Sequence, residues 1–188
     1  MRRLKVFNQL TLDGYFAGRD GDLGWAHRGD ADREWNAFVA GNAGSGGHLV
    51  FGRITYELMA GYWSTPMAES ADPVVARAMN GLPKTVFSRT LKAASWQNTR
   101  LASGELATEI RDLKANADRD LVILGSGSLV AQLAATGLID SYQLVVNPVV
   151  LGDGWALFEG ATRRLDLRLA DIRRFDNGNV LLSYELPA

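Results

Sequence analysis

The 188-residue chain sets 20 Lys+Arg against 21 Asp+Glu, a formal net charge of -1, so it carries no electrostatic footprint for nucleic acid or for an anionic membrane surface. Its 47% hydrophobic content with only five prolines is enough for one substantial core, which predicts one domain over 1–188. The lack of cysteine excludes disulfides, thiolate metal sites and thiol nucleophiles, and fits a reducing cytoplasm.

The first segment, "MRRLKVFNQL", has no long apolar stretch and no small-residue cleavage site, and reads as a first strand over Leu4 to Leu10 rather than a signal peptide. A Gly-rich loop follows. Asp30 is then a candidate cap for a helix whose apolar stripe is Trp35, Phe38 and Val39. A short strand, "HLVF", ends at Gly52 and hands over at once to a helical segment. "DPVVARAMNGLP" marks another helix, with Asp72 at the cap, Pro73 in the first turn, and Gly81 and Pro83 beyond its end. "KTVFS" reads as a strand, and Leu106, Ile110 and Leu113 form a helical stripe. "LVILG" is a buried strand and "SLVAQLAATG" a helix ending at Gly137. From Tyr142 onward only strands are expected, closing in a hairpin that turns over Asp176 to Asn179. Nowhere does the chain approach the roughly 18 consecutive apolar residues of a membrane span.

Alternating strands and helices need crossover connections, so the pattern predicts an α/β fold with a mixed, mostly parallel sheet flanked by helices and a C-terminal antiparallel hairpin. Ligands of such sheets bind beyond the carboxyl ends of the strands. Three junctions there suit an anion. In "FGRITYE", Gly52 permits close approach, Arg53 brings a planar cation and Thr55 a hydroxyl. In "LGSGSLVAQL", Gly125, Ser126, Gly127 and Ser128 join a strand to a helix. In "VFSRTL", Ser88 and Arg89 follow a strand. Each also has a plain reading: Arg53 as a solvated charge beside a cap, the glycine motif as a chance occurrence, Arg89 as a surface arginine.

Asp32, Trp35 and Val39 share a helical face, so Asp32 reads either as a carboxyl held against apolar surface, with a raised pKa suited to proton donation, or as a partner for the helix dipole. His27 and His48 read as an exposed loop residue and a structural one, and with two histidines and no cysteine a metal site is not expected.

In this order, "QLTLDGYFAG", "FGRITYE", "KTVFSRTL", "LGSGSLVAQL", "VVNPVVLGDGWALF" and "FDNGNVLLSYEL" resemble the dihydrofolate reductase-like family. The likeness is nearest to stand-alone relatives of the C-terminal reductase domain of the riboflavin-biosynthesis deaminase-reductase. It spans nearly the whole chain. The resemblance implies a three-layer fold with an eight-stranded sheet, NADPH as cofactor, and hydride transfer to a pteridine- or pyrimidine-like heterocycle. It implies that Gly52, Arg53 and Thr55 contact the pyrophosphate and 2′-phosphate, Ser88 and Arg89 the adenosine side, and Gly125 to Ser128 the pyrophosphate. It also implies one acid on the first helix. The length from Trp25 suits Asp30, whereas the spacing to Trp35 suits Asp32. Phe16, Trp25 and Trp35 are candidate walls of the substrate pocket, each equally readable as core. A homodimer is expected, with Trp155 and Phe158 on its surface. The chain has no deaminase motif, so it does not match the bifunctional riboflavin enzyme.

Overall fold

The computed structural model describes residues 1–26 and 32–187. Its strands are β1 (Leu4–Thr11), β2 (Tyr15–Ala17), β3 (His48–Gly52), β4 (Lys84–Phe87), β5 (Thr99–Ala102), β6 (Leu121–Leu124), β7 (Ser141–Asn147), β8 (Trp155–Ala156), β9 (Arg168–Arg174) and β10 (Val180–Glu185). Its α-helices are α1 (Arg33–Gly44), α2 (Arg53–Trp63), α3 (Pro66–Ala71), α4 (Pro73–Gly81), α5 (Leu106–Asn116) and α6 (Gly127–Ala134).

The main sheet has eight strands in the order β5-β4-β3-β6-β1-β7-β10-β9. Every pair from β5 across to β7 is parallel, and β10 pairs antiparallel with both β7 and β9. This is the mixed, mostly parallel architecture expected from the alternating pattern. Strand alternation sorts the apolar side chains onto two faces. On one, Leu4, Val6, Val50, Leu121 and Ile123 pack with Ile110 of α5 and Leu129, Val130 and Leu133 of α6. On the other, Leu49, Phe51 and Val86 pack with Tyr56 of α2 and Val75 and Met79 of α4, while Trp35 of α1 packs with Val145, Phe175 and Leu181.

The chain runs outward from β3 to β4 and β5, then returns to place β6 between β3 and β1. Helices α2 and α6, which follow the adjacent strands β3 and β6, therefore leave for opposite faces. In open α/β sheets such a divergence, at the carboxyl edge, is where the ligand-binding crevice lies.

Several features escaped the sequence pattern. Strand β2 lies in the segment read as a Gly-rich loop, and the short α3 has no signal of its own; Asp72 ends it while capping α4 through Val75 N–H. Strand β5, "TRLA", is too short and too polar to show a period. Lys84 is buried. Its ammonium donates to the carbonyls of Asn80, Leu82 and Gln97 and lies 4.5 Å from the Trp96 ring centroid, and burial pulls its pKa down to about 8. No helix among the described residues is long and apolar enough to cross a membrane.

Candidate active site

The crevice is built by two strand-to-helix junctions that hold each other. Gly52 N–H donates to Ser126 Oγ at 2.8 Å, and Ser126 N–H donates to Thr55 Oγ1 at 3.0 Å. From the neighbouring β1, the Asn8 side-chain oxygen accepts from Gly125 N–H at 2.8 Å. Gly125 and Ser126 both adopt left-handed backbone, at φ 57° and 58°. A Cβ on Gly125 would stand 2.8 Å from Thr55 Cγ2, so glycine is required there by conformation and by space. Ser126 has no such freedom. It tolerates the left-handed region because its hydroxyl and amide are both tied to the β3 junction.

Side-chain caps divide the helices into two sets. Asp32, Thr65, Asp72 and Glu105 accept from first-turn amides of α1, α3, α4 and α5. Neither α2 nor α6 has a side-chain cap. The two uncapped amino termini are the pair at the crevice, where their first-turn N–H groups favour an anion.

Arg53 opens α2, an unfavourable place for a cation with respect to the helix dipole. It is exposed, and its guanidinium meets Glu57 at 2.8 Å one turn on. Arg89 is exposed and makes no ion pair among the described residues. Ser88 Oγ accepts from Thr90 and Leu91 N–H, which shapes the turn after β4. A cleft of about 600 Å³ lined by Tyr56, Glu57, Leu91 and Trp96, among others, borders this corner. A second cleft, beside His48 and Pro83, lies at the amino ends of β3 and β4, away from the α2 and α6 amino termini. The uncapped amides of α2 and α6, with Arg53 and Arg89 after the adjacent strands β3 and β4, are donors of the kind that suit an anion.

On the far side of β1 the loops are locked to one another. Strand β2 pairs with β8, the Asp13 carboxylate accepts from Gly152 N–H at 2.8 Å, and Arg19 pairs with Asp153. The hydrogen bond with the Thr11 side chain, followed by the Gly152 and Leu151 amides, lowers the Asp13 pKa. Phe16 packs so closely on α6 that a Cβ at Gly127 would lie 2.7 Å from its ring. Phe16 also meets Trp155 at 6.2 Å, so the aromatic pair stacks on this loop layer. Trp25 is half-buried, with its indole N–H donating to the Asp22 carbonyl at 3.2 Å.

The first helix corrects one expectation and decides between two others. Asp32, not Asp30, caps α1: its carboxylate accepts from Trp35 N–H at 2.9 Å and, with the other oxygen, from Asn177 N–H at 2.9 Å in the β9–β10 turn. These amide donors, Trp35 first, lower its pKa, so of the two readings of Asp32 the partner of the helix amino terminus holds and the raised-pKa proton donor does not. The carboxylate is therefore ionised at neutral pH and has no proton to give. Shared face and spacing do not show whether an acid near a helix start lies against the stripe or turns back to the free amides. Asp30 and His27 lie outside the described residues. Trp35 is 7% exposed and meets Phe175 edge-on at 5.1 Å, which places it in the core rather than on an open wall.

Sequence reasoning also missed a polar group at the end of the sheet. Asn147 ends β7 and Asn179 precedes β10; both are buried. The Asn147 amide nitrogen reaches the carbonyls of Leu10 and Val145, but Asn147 Oδ1 and both amide atoms of Asn179 have no hydrogen-bond partner. Each such buried orphan costs about 1–3 kcal/mol. Nothing in "VVNPVV" or "FDNGNV" signals this beyond an asparagine in an apolar run.

A mostly parallel sheet with antiparallel C-terminal strands and helices on both faces makes this a three-layer α/β fold. Family comparison agrees: the RibD C-terminal domain family matches residues 2–181, and the chain belongs to that family. It is 28% identical to the uncharacterized protein YyaP of Bacillus subtilis (strain 168) over 187 residues, 97% of this chain and 94% of that one. It is also 28% identical to YwjB of the same organism over 179 residues, covering 93% and 92%. Among solved structures, a putative riboflavin biosynthesis protein from Shewanella sp. PV-4 superposes with TM-score 0.76 at 24% identity over the full length of both chains. A Thermotoga maritima diaminohydroxyphosphoribosylaminopyrimidine deaminase/5-amino-6-(5-phosphoribosylamino)uracil reductase superposes with TM-score 0.70 at 15% identity, over 99% of this chain and 57% of that one. At these identities the structural likeness establishes the fold.

Proposed function

We propose that the protein is an NADPH-dependent reductase that delivers hydride to a pteridine- or pyrimidine-like heterocycle. The observation that carries this reading is the pair of uncapped helix amino termini, α2 and α6, docked side by side at the crevice. Membership of a reductase-domain family and the likeness to a pyrimidine reductase support it.

The cofactor, when bound, supplies the hydride. Arg53 and the first-turn amides of α2 and α6 hold its phosphates, and Arg89 and Ser88 flank its adenosine end near the cleft beside Tyr56 and Leu91. Thr55 and Ser126 act one step back, fixing the two junctions against each other. The ionised Asp32 carboxylate raises the basicity of a nearby ring nitrogen, which then takes its proton from solvent. The chain contributes orientation and charge. The assembly is a homodimer with Trp155 and the exposed Phe158 on its surface, along with the exposed Leu169 and Ile172 of the edge strand β9.

One observation favours a second reading, a non-catalytic nucleotide-binding protein on the same fold: each Asp32 oxygen already accepts from a backbone donor, a structural role that needs no substrate. Following NADPH oxidation at its nicotinamide absorbance, across dihydropteridine and aminopyrimidine substrates, separates the two. Turnover that Arg53→Ala weakens supports the reductase. NADPH binding without turnover of any ring supports the second reading.

A further inference from the structure

Asn147 Oδ1 and both amide atoms of Asn179 are buried without hydrogen-bond partners. The antiparallel register pairs Val180 with Val146, so Asn179 and Asn147 stand opposite one another one step further along, at the carboxyl edge. Each is two residues from a neighbour on the α1 face, Val145 and Leu181, and both of those pack with Trp35 and Phe175. The turn before Asn179 is bonded to the Asp32 carboxylate through Asn177 N–H. Asn179 backbone is fixed, its N–H donating to Asn177 Oδ1 and its carbonyl accepting from Phe175 N–H. Its side chain has no hydrogen bond to restrain it.

We propose that Asn147 and Asn179 read the edge of the substrate ring. Together they offer two acceptors, Asn147 Oδ1 and Asn179 Oδ1, and one donor, Asn179 Nδ2. The complement is a planar heterocycle with two N–H donors and one acceptor along one edge. A cyclic urea edge and a 2-amino-4-oxopyrimidine edge both have that composition. Rotation of the Asn179 side chain brings its amide to the ring, and pairing these groups recovers what their burial costs. A site with hydrogen bonds to complete also rejects rings that lack them. The inference rests on the reductase reading for the nature of the ligand, while the residues follow from their unpaired atoms.

The test is binding of two probes to the full chain without NADPH, followed by calorimetry: 5,6-diaminouracil and 2,5,6-triaminopyrimidin-4-one. Wild type should bind at least one, which also identifies the edge, and 1,3-dimethyl-5,6-diaminouracil, whose ring N–H groups are blocked, should not bind. Asn147→Leu and Asn179→Leu should each weaken the probe by roughly tenfold or more, while NADPH affinity and melting temperature hold or the latter rises. Asn179→Asp preserves the size of the side chain if the leucine variant fails to fold, and it too should weaken the probe. Unchanged probe affinity in the variants, or wild type that binds neither ring, overturns the proposal. Loss of NADPH binding by wild type would instead sink the reductase reading, and it is measured separately.

Discussion

The two sides of β1 satisfy their polar atoms differently. At the β3 and β6 junctions the turn groups are paired: Gly52 with Ser126, Ser126 with Thr55, Gly125 with Asn8. At the ends of β7 and β10 three buried amide atoms are left without partners. The first side is a finished scaffold that directs outward only helix amides and arginines, groups water can solvate until an anion arrives. The second retains an internal cost that a ligand can relieve. Under the proposed reductase reading, the first side is the fixed cofactor framework and the second the adaptable ring site.

The comparison breaks most readily at Gly125. Gly125→Ala must place a Cβ against a threonine methyl that is itself held by Ser126, in left-handed backbone. The expected loss is about 2–4 kcal/mol, or roughly 5–15 °C in melting temperature, together with loss of NADPH binding. Calorimetric melting checks it, and a neutral substitution would mean that the junction is not rigid.

Arg53→Ala should be nearly silent in melting, because an exposed i,i+4 pair contributes little, yet it should weaken NADPH by roughly 10- to 100-fold. Weakened NADH to the same degree would move Arg53 from the 2′-phosphate to the pyrophosphate.

Asp32→Ala removes the α1 cap and the tie to the hairpin turn, with a smaller fall in melting temperature. Its folded pKa is lowered, so the contribution is present above the unfolded carboxyl value near about 3.9 and is lost as pH falls through the folded value. The gap between variant and wild type should therefore close in acid. A gap that stays constant to low pH would show that the carboxylate charge plays no part.

Gly127→Ala should have the smallest effect. Its Cβ would meet the ring of a half-buried Phe16 rather than a pinned neighbour, and the ring can swing aside. A loss as large as that of Gly125→Ala would show that the β2–β8 layer is as fixed as the junctions.

Much of this was legible in the sequence. Period-2 and period-3.6 patterns placed most of the strands and helices, the glycine and proline signals bounded α4, and the motif order named the fold. The strand ends that meet at the crevice followed from the same pattern. The mutual hydrogen bonding of Thr55 and Ser126 did not, since it joins residues 71 positions apart. Asp32 stayed open between two readings because a helix start offers a carboxylate free amides and an apolar face at once, and only the backbone entry angle decides. Asn147 and Asn179 were invisible because their meaning lies in a register that pairs β7 with β10.

The most direct measurement is a calorimetric titration of the full chain with NADPH and, separately, NADH. The account predicts micromolar binding of NADPH with a clear preference over NADH, since Arg53 and Arg89 stand ready for an added phosphate monoester. Equal affinity for the two, or binding of neither, would contradict it and leave the uncapped helices at the crevice without their anion.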